Sequence, residues 1–235
     1  MTNFECMKLK DFYLFLKKPK IGQAIDINTF GSFMRLISLT ILYFYIFLVI
    51  SVVTIITPLK LLNLMPVMKD VDLTTINILI ISIFAPITEE CIFRLPLKLT
   101  FVNSLLFLTS LLYVLLHKHV DNLFFLLGSL LLFFIISYYS FRNRVSFLDN
   151  IKIFSERYFA IIFYTQVFAF GFIHLFNFNL NYSYFYLFPF FVIVQLMMGC
   201  FQGYIRVKYK YGIFYCILIH IIINTVFLLP QLFDK

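Results

Sequence analysis

Three stretches of the chain, residues 36–57, 101–116 and 122–140, contain no aspartate, glutamate, lysine or arginine. A helix needs about 20 apolar residues to cross the hydrocarbon of a bilayer. No water-soluble fold of 235 residues has a core large enough to hide several such runs. Composition agrees: 62% of the residues are hydrophobic and 13% are charged, against about 25% charged in a soluble domain. The sequence predicts an all-α, polytopic transmembrane helix bundle. Its spans are expected at 36–57, 75–98, 101–117, 121–141, 157–177, 184–205 and 212–230, about seven in all, of which the third is the shortest. Helices are expected because backbone groups in lipid must bond within their own segment. A closed β-barrel would need polar and apolar residues to alternate, and runs such as Leu126-Leu127-Gly128-Ser129-Leu130-Leu131-Leu132 do not.

The first 35 residues form a separate part, and 36–235 read as one transmembrane domain without linker or internal repeat. Residues 4–20 mix aromatics with lysines and stop at Pro19, the pattern of a segment lying on an anionic leaflet. No short apolar core with a small-residue cleavage site marks a signal peptide. The formal charge of +8 is not read as a nucleic-acid surface, because the basic residues fall in short loops between apolar runs, where they encode topology. With seven spans and the N-terminus inside, only Lys60, Lys69, Lys118 and Lys235 of the 19 basic residues fall outside. The chain is therefore expected to sit in a membrane, N-terminus in the cytoplasm. Its Phe, Ile, Asn and Lys usage points to an AT-rich bacterial genome and hence an inner membrane. Cys6, Cys91, Cys200 and Cys216 have no CxxC spacing and are expected as thiols rather than a disulfide or zinc framework. The Tyr and Phe run at 181–191 reads as an interfacial belt.

Against this background a few residues stand out. Glu89, Glu90 and Arg94 lie in the second span, His174 in the fifth, and His220 and Asn224 in the seventh. A charge at mid-bilayer costs at least about 2.5 kcal/mol on insertion scales, so such residues usually face the bundle interior and serve function. Glu90 and Arg94 are spaced i, i+4 and can pair along one helix face. Glu89 lies about 100° around the helix from Glu90, so one arginine neutralises both poorly. Asn224 follows His220 by one turn and shares its face.

These residues also carry a resemblance. Glu89-Glu90-Cys91-Ile92-Phe93-Arg94 fits EExxxR, Phe170-Gly171-Phe172-Ile173-His174 fits FxxxH, and His220-Ile221-Ile222-Ile223-Asn224 fits HxxxN. In that order on three apolar helices they resemble the CPBP family, the CAAX prenyl endopeptidases and bacteriocin-processing or immunity proteins also called Abi. Gly203-Tyr204-Ile205-Arg206 resembles the family's approach to its final helix. The resemblance covers roughly 75–228. It departs from the family in the 85 residues between Glu89 and His174, which hold two additional apolar runs and a basic loop. Two added spans leave the orientation of the motif helices unchanged.

The resemblance implies an intramembrane endopeptidase acting on a membrane-associated peptide or protein. Glu89, assisted by His174, would position and deprotonate a water. His220 and Asn224 would donate to the oxyanion. Arg94 would hold Glu90, Glu90 would shape the site electrostatically, and Phe170 would support it. Burial in an apolar bundle strengthens a carboxylate as a base, and donors aimed at an oxyanion gain value in a dry cavity. A metal-dependent alternative would use Glu89, His174 and His220 as zinc ligands with an open water position. The chain has no HExxH, and the glutamate-dependent reading without a cofactor is favoured. The competing readings are a non-catalytic scaffold or bacteriocin self-immunity protein, and a proton-coupled carrier, for which the chain shows no inverted repeat. One tension accompanies the peptidase reading: at 1.5 Å per residue, His174 falls nearer the outer end than Glu89 or His220.

Overall fold

A computed structural model describes residues 8–69, 74–117, 119–120, 122–141, 145–179 and 182–233. Residues 4–7 with Cys6, together with Lys118, Arg142, Arg144, residue 181 and Lys235, lie outside the described residues. The described chain is almost entirely helical. Its helices are α1 (Leu9–Lys17), α2 (Phe30–Leu61), α3 (Thr75–Leu79, Ile80–Phe84 and Ala85–Arg94 in continuous succession), α4 (Phe101–Leu116), α5 (Leu123–Phe141), α6 (Val145–Arg157), α7 (Phe159–Ile173), α8 (Phe188–Phe191), α9 (Ile193–Lys208) and α10 (Gly212–Phe233). The described sheet structure is two short strands, β1 (Val67–Met68) and β2 (Phe178–Asn179), paired antiparallel with Val67 opposite Asn179.

The all-α expectation is met. Two helices, Phe30–Leu61 and Phe159–Asn177, are long and apolar enough to cross a membrane. A third qualifies if Tyr184–Phe191 and Ile193–Lys208, bent by 45°, form one span. Phe101–Leu116, Phe124–Ser140 and Gly212–Leu228 are shorter apolar helices. The expected second span is interrupted and ends in a 3-10 turn over Leu95–Lys98. The expected basic loop after α5 contains a helix, α6, whose apolar residues at 147, 148, 151 and 154 recur at helical spacing.

Two prolines shape the long helices. Proline has no N–H and its ring clashes with the carbonyl four residues earlier. Pro58 and Pro86 are each preceded by a widened five-residue π turn, Val52–Ile56 and Ile80–Phe84, which absorbs that clash. Helix starts are set by side chains: Thr29 Oγ1 accepts from Ser32 N–H (3.3 Å) and Thr100 Oγ1 from Asn103 N–H (3.2 Å), each satisfying one orphan donor of a first turn.

The central helix is α9, buried almost continuously from Phe201 to Val207. It packs on α7 at one side and on α10 and α2 at the other. The α7 contact depends on close approach. A Cβ at Gly203 would sit 2.7 Å from the Phe163 ring, and one at Gly171 would sit 2.5 Å from Leu196. Helix α3 packs against α10, α7 and α4, and α5 packs on α4. Large apolar side chains remain exposed on α2 and along the α4–α5 hairpin, Phe124 at 87% and Val53 at 64% among them. An uncovered apolar face of this extent is foreign to soluble monomers.

One end of the bundle is basic and closed by the N-terminal segment. Phe12 of α1 stacks on Phe201 (centroids 4.4 Å apart, planes at 11°), and Phe15 meets Phe163 and Tyr204 edge-on at 5.1 and 5.2 Å. Beyond Pro19 the chain runs extended. Ile25 N–H donates to the Lys208 carbonyl (2.8 Å), Lys210 N–H to the Ile25 carbonyl (3.0 Å), and Lys210 Nζ to Asp26 (2.8 Å). The Asp26 carboxylate holds the exposed Lys210 ammonium above its ordinary range. Lys98 Nζ donates to the Tyr209 carbonyl (3.1 Å). At the opposite end lies the β1–β2 ladder, extended by Lys69 N–H to the Asn177 carbonyl (2.8 Å). Truncating a buried phenylalanine to alanine costs about 3–5 kcal/mol. Phe12→Ala is therefore expected to raise hydrogen exchange across α1 while amides around Glu90 stay protected; unchanged exchange in α1 would contradict the docking.

Candidate functional site

The site is built where α3, α7, α9 and α10 meet, around one buried cation. Arg94 Nε lies 3.2 Å from Glu90 Oε2, one turn earlier, and both side chains are inaccessible to solvent. The Arg94 guanidinium also donates to Gln202 Oε1 of α9 (3.0 Å) and lies over the Phe170 ring of α7 at 4.6 Å. Gln202 turns its amide to the Cys216 carbonyl of α10 (3.4 Å), and the Cys216 thiol donates back to the Gln202 carbonyl (3.1 Å). Arg206 Nε–H donates to the backbone carbonyl of Arg94 (3.1 Å).

Glu90 reaches the third motif as well. Its Oε1 lies 2.8 Å from His220 Nδ1. A carboxylate only accepts, so Nδ1 carries the proton of that bond. His174 Nδ1 lies 2.7 Å from the Phe170 carbonyl, again an acceptor, so its proton too is held at Nδ1. Each ring therefore presents Nε2 to the site. Both Nε2 atoms face the same oxygen, Glu89 Oε2, at 3.6 Å from His220 and 3.9 Å from His174. These separations exceed direct hydrogen-bond distance. Phe170 packs against both rings, meeting His174 edge-on at 4.7 Å and His220 at 6.0 Å. The two glutamates are thus held differently: the Glu90 side chain is wholly buried, whereas that of Glu89 is 27% exposed.

His174 reaches this level because of where α7 begins. Its first turns pack beside α1: Phe159 meets Phe15, and the Tyr164 hydroxyl donates to the Leu16 carbonyl. Helix α10 starts only eight residues before His220, about 12 Å of rise, while 15 residues of α7, about 22 Å, precede His174. The extra length packs beside α1 and the last turns of α9, and α7 gives way at His174 to a 3-10 turn.

Asn224 has a different attachment. In the π turn before Pro86, Ala85 N–H bonds to the Ile80 carbonyl. The next carbonyl, Ile81, would need the N–H of residue 86 to continue that pattern, and proline has none. Asn224 Nδ2 donates to the Ile81 carbonyl at 3.1 Å. The amide thereby ties α10 to the break in α3, one turn above His220.

The sequence-predicted residues Glu89, Glu90, Arg94, Phe170, His174 and His220 all converge, and Asn224 lies beside them on the interrupted part of α3. Reasoning from sequence missed Gln202 and placed Arg206 in a loop. Both signals were present: a glutamine in an apolar helix, and an arginine four residues after it. Cys91, Cys200 and Cys216 are free thiols, with Cys216 fully buried. Among the described residues, no group of three or more His, Cys, Asp or Glu side chains is arranged to hold a metal ion. An apolar groove of about 920 Å³ runs between α4 and α7. Its floor includes Ile92 and Phe93, which follow Glu89 by one turn, and Leu111 and Val114 of α4 form a wall.

Two stability differences follow. Removing one member of a buried ion pair strands the other, at about 3–5 kcal/mol. Glu90→Leu is therefore expected to lower the melting temperature in detergent steeply, while Glu89→Gln changes stability by less than about 1 kcal/mol; equal losses would contradict the geometry. Asn224→Ala orphans the Ile81 carbonyl, at about 1–3 kcal/mol, and Pro86→Ala, which restores an N–H, should recover part of that loss in the double variant. Additive effects in that cycle would refute the link. No protein-family model, curated protein or solved structure matches the chain.

Proposed function

We propose that the protein is an intramembrane endopeptidase of the CPBP type that hydrolyses a peptide bond of a membrane-associated peptide or protein with a glutamate-activated water. The observation that carries this reading is the single carboxylate oxygen, Glu89 Oε2, faced by two imidazole Nε2 atoms at 3.6 and 3.9 Å. A water lying over either gap sits within about 2.8 Å of the carboxylate and of an imidazole nitrogen. Glu89 takes its proton as hydroxide adds to the scissile carbonyl, and passes that proton to the leaving amine. His174, locked by the Phe170 carbonyl, orients the water. His220, with Nδ1 held by Glu90, keeps Nε2 toward the reacting centre. The Asn224 amide has a second N–H beyond the one bonded to Ile81, and directs it to the oxyanion.

In this reading the apolar helices lie in a bacterial inner membrane as about seven spans, with the cytoplasm at the basic end. The convergence of Lys98, Lys208 and Lys210 with the N-terminal segment supports that orientation. The groove between α4 and α7 gives a membrane-borne substrate an apolar approach beside Glu89, and assigns α4, the first of the inserted helices, a purpose as its wall. No metal takes part.

Loss of a positioned acid–base group is worth about 10²–10⁴ in rate. Comparing membrane proteomes of cells carrying wild type, Glu89→Gln and His174→Ala should show substrates that stay uncleaved in both variants, at wild-type levels of inserted protein. Cleavage by purified protein should persist in a strong chelator. Unchanged processing by Glu89→Gln would instead favour a non-catalytic scaffold or immunity protein.

A further inference from the structure

A second concave feature lies at the basic end, away from Glu89. It is a cleft of about 510 Å³ bounded by α1, the extended segment after Pro19 and the last turns of α9. Three lysines line it, Lys18, Lys20 and Lys208, against one acid, Asp11. Lys18 and Lys20 flank Pro19 at the end of α1, and the tertiary fold brings Lys208 of α9 to them. Lys210 and Lys98, close by in sequence or space, are committed to Asp26 and to the Tyr209 carbonyl. Neither Lys18 nor Lys20 is ion-paired with a described residue. Phe15 and Tyr204 supply aromatic surface within the cleft. Beside it α1 exposes Leu9, Tyr13 and Leu14, each at least half accessible. A concave site with apolar walls, an excess of ammonium groups and an exposed apolar helix face alongside matches an amphiphile with an anionic head.

We propose that this cleft binds the phosphate group of an anionic phospholipid, the acyl chains lying along the exposed face of α1. The inference rests on the membrane part of the reading above and is independent of peptidase activity. The shared chemistry is a phosphate oxyanion, and a lipid rather than a soluble phosphate is its source because the aromatic walls and the apolar face of α1 contribute nothing to an inorganic ion. Lysines hold such a head as point charges, each worth about fivefold in affinity near an anionic surface.

The test uses the full chain in zwitterionic detergent micelles, titrated with a short-chain phosphatidylglycerol, a short-chain phosphatidylcholine or inorganic phosphate, with bound lipid read by native mass spectrometry. Phosphatidylglycerol should bind one to one, phosphatidylcholine far more weakly, and Lys18→Gln/Lys20→Gln should weaken the anionic lipid about 30-fold. Lys10→Gln, outside the cleft, is the control and should bind as wild type. Equal binding of the two lipids, or wild-type affinity in the double variant, overturns the proposal. So does displacement of the lipid by inorganic phosphate at the same concentration, which would assign the cleft to a soluble anion. A chain that stays in the micelle and ignores the anionic lipid refutes only the cleft, whereas one that remains soluble without detergent refutes the membrane reading.

Discussion

The Glu90–Arg94 pair is the constraint on which the rest of the bundle depends. Withdrawing two charges from water costs several kcal/mol for each ion even after relaxation, and only good geometry with further partners offsets it. Here the partners come from three neighbouring helices. Gln202 arrives from α9, the Phe170 ring from α7 and His220 from α10. A hydrophobic contact tolerates sliding, but this cation accepts few arrangements of its surroundings. The four helices must therefore meet in one register, and that register sets where Glu89 and the two Nε2 atoms lie. Glu89 lies outside the Glu90–Arg94 pairing and faces the two Nε2 atoms instead.

Much of this was legible from sequence because the bilayer makes polarity conspicuous. Six of the residues that converge were identified as charged or polar intruders in apolar runs, or through the motifs that contain them. The i, i+4 spacing of Glu90 and Arg94 anticipated their contact at 3.2 Å. What escaped was tertiary. Arg206 counted as a loop charge because it borders a lysine-rich turn, yet it is buried at the end of α9 and bonded to the Arg94 backbone. Gln202 carries no charge and so drew no notice. The apparent misplacement of His174 arose from assuming that every helix starts at one plane, whereas α7 begins beside α1. Helix lengths were the least legible. Pro58 and Pro86 do not end their helices but widen them, and hydropathy alone does not distinguish a broken helix from a straight one.

The N-terminal segment illustrates the same limit. Its mixture of lysines and aromatics was read as a surface-seeking segment. In the fold it has two faces, one stacked into the core through Phe12 and Phe15 and one left bare. Composition cannot divide a helix between two environments; only the position of its neighbours can.

The break in α3 has a mechanical consequence. Between Ile80 and Pro86 the backbone ladder is incomplete, so bending there strains fewer hydrogen bonds than elsewhere along the helix. A bend of Thr75–Leu79 relative to Ala85–Arg94 is therefore concentrated at that point. Asn224 then acts as the stay across the joint, setting how far the two halves of α3 can fold toward or away from each other. The stiffness of the joint is thereby supplied by a side chain of another helix.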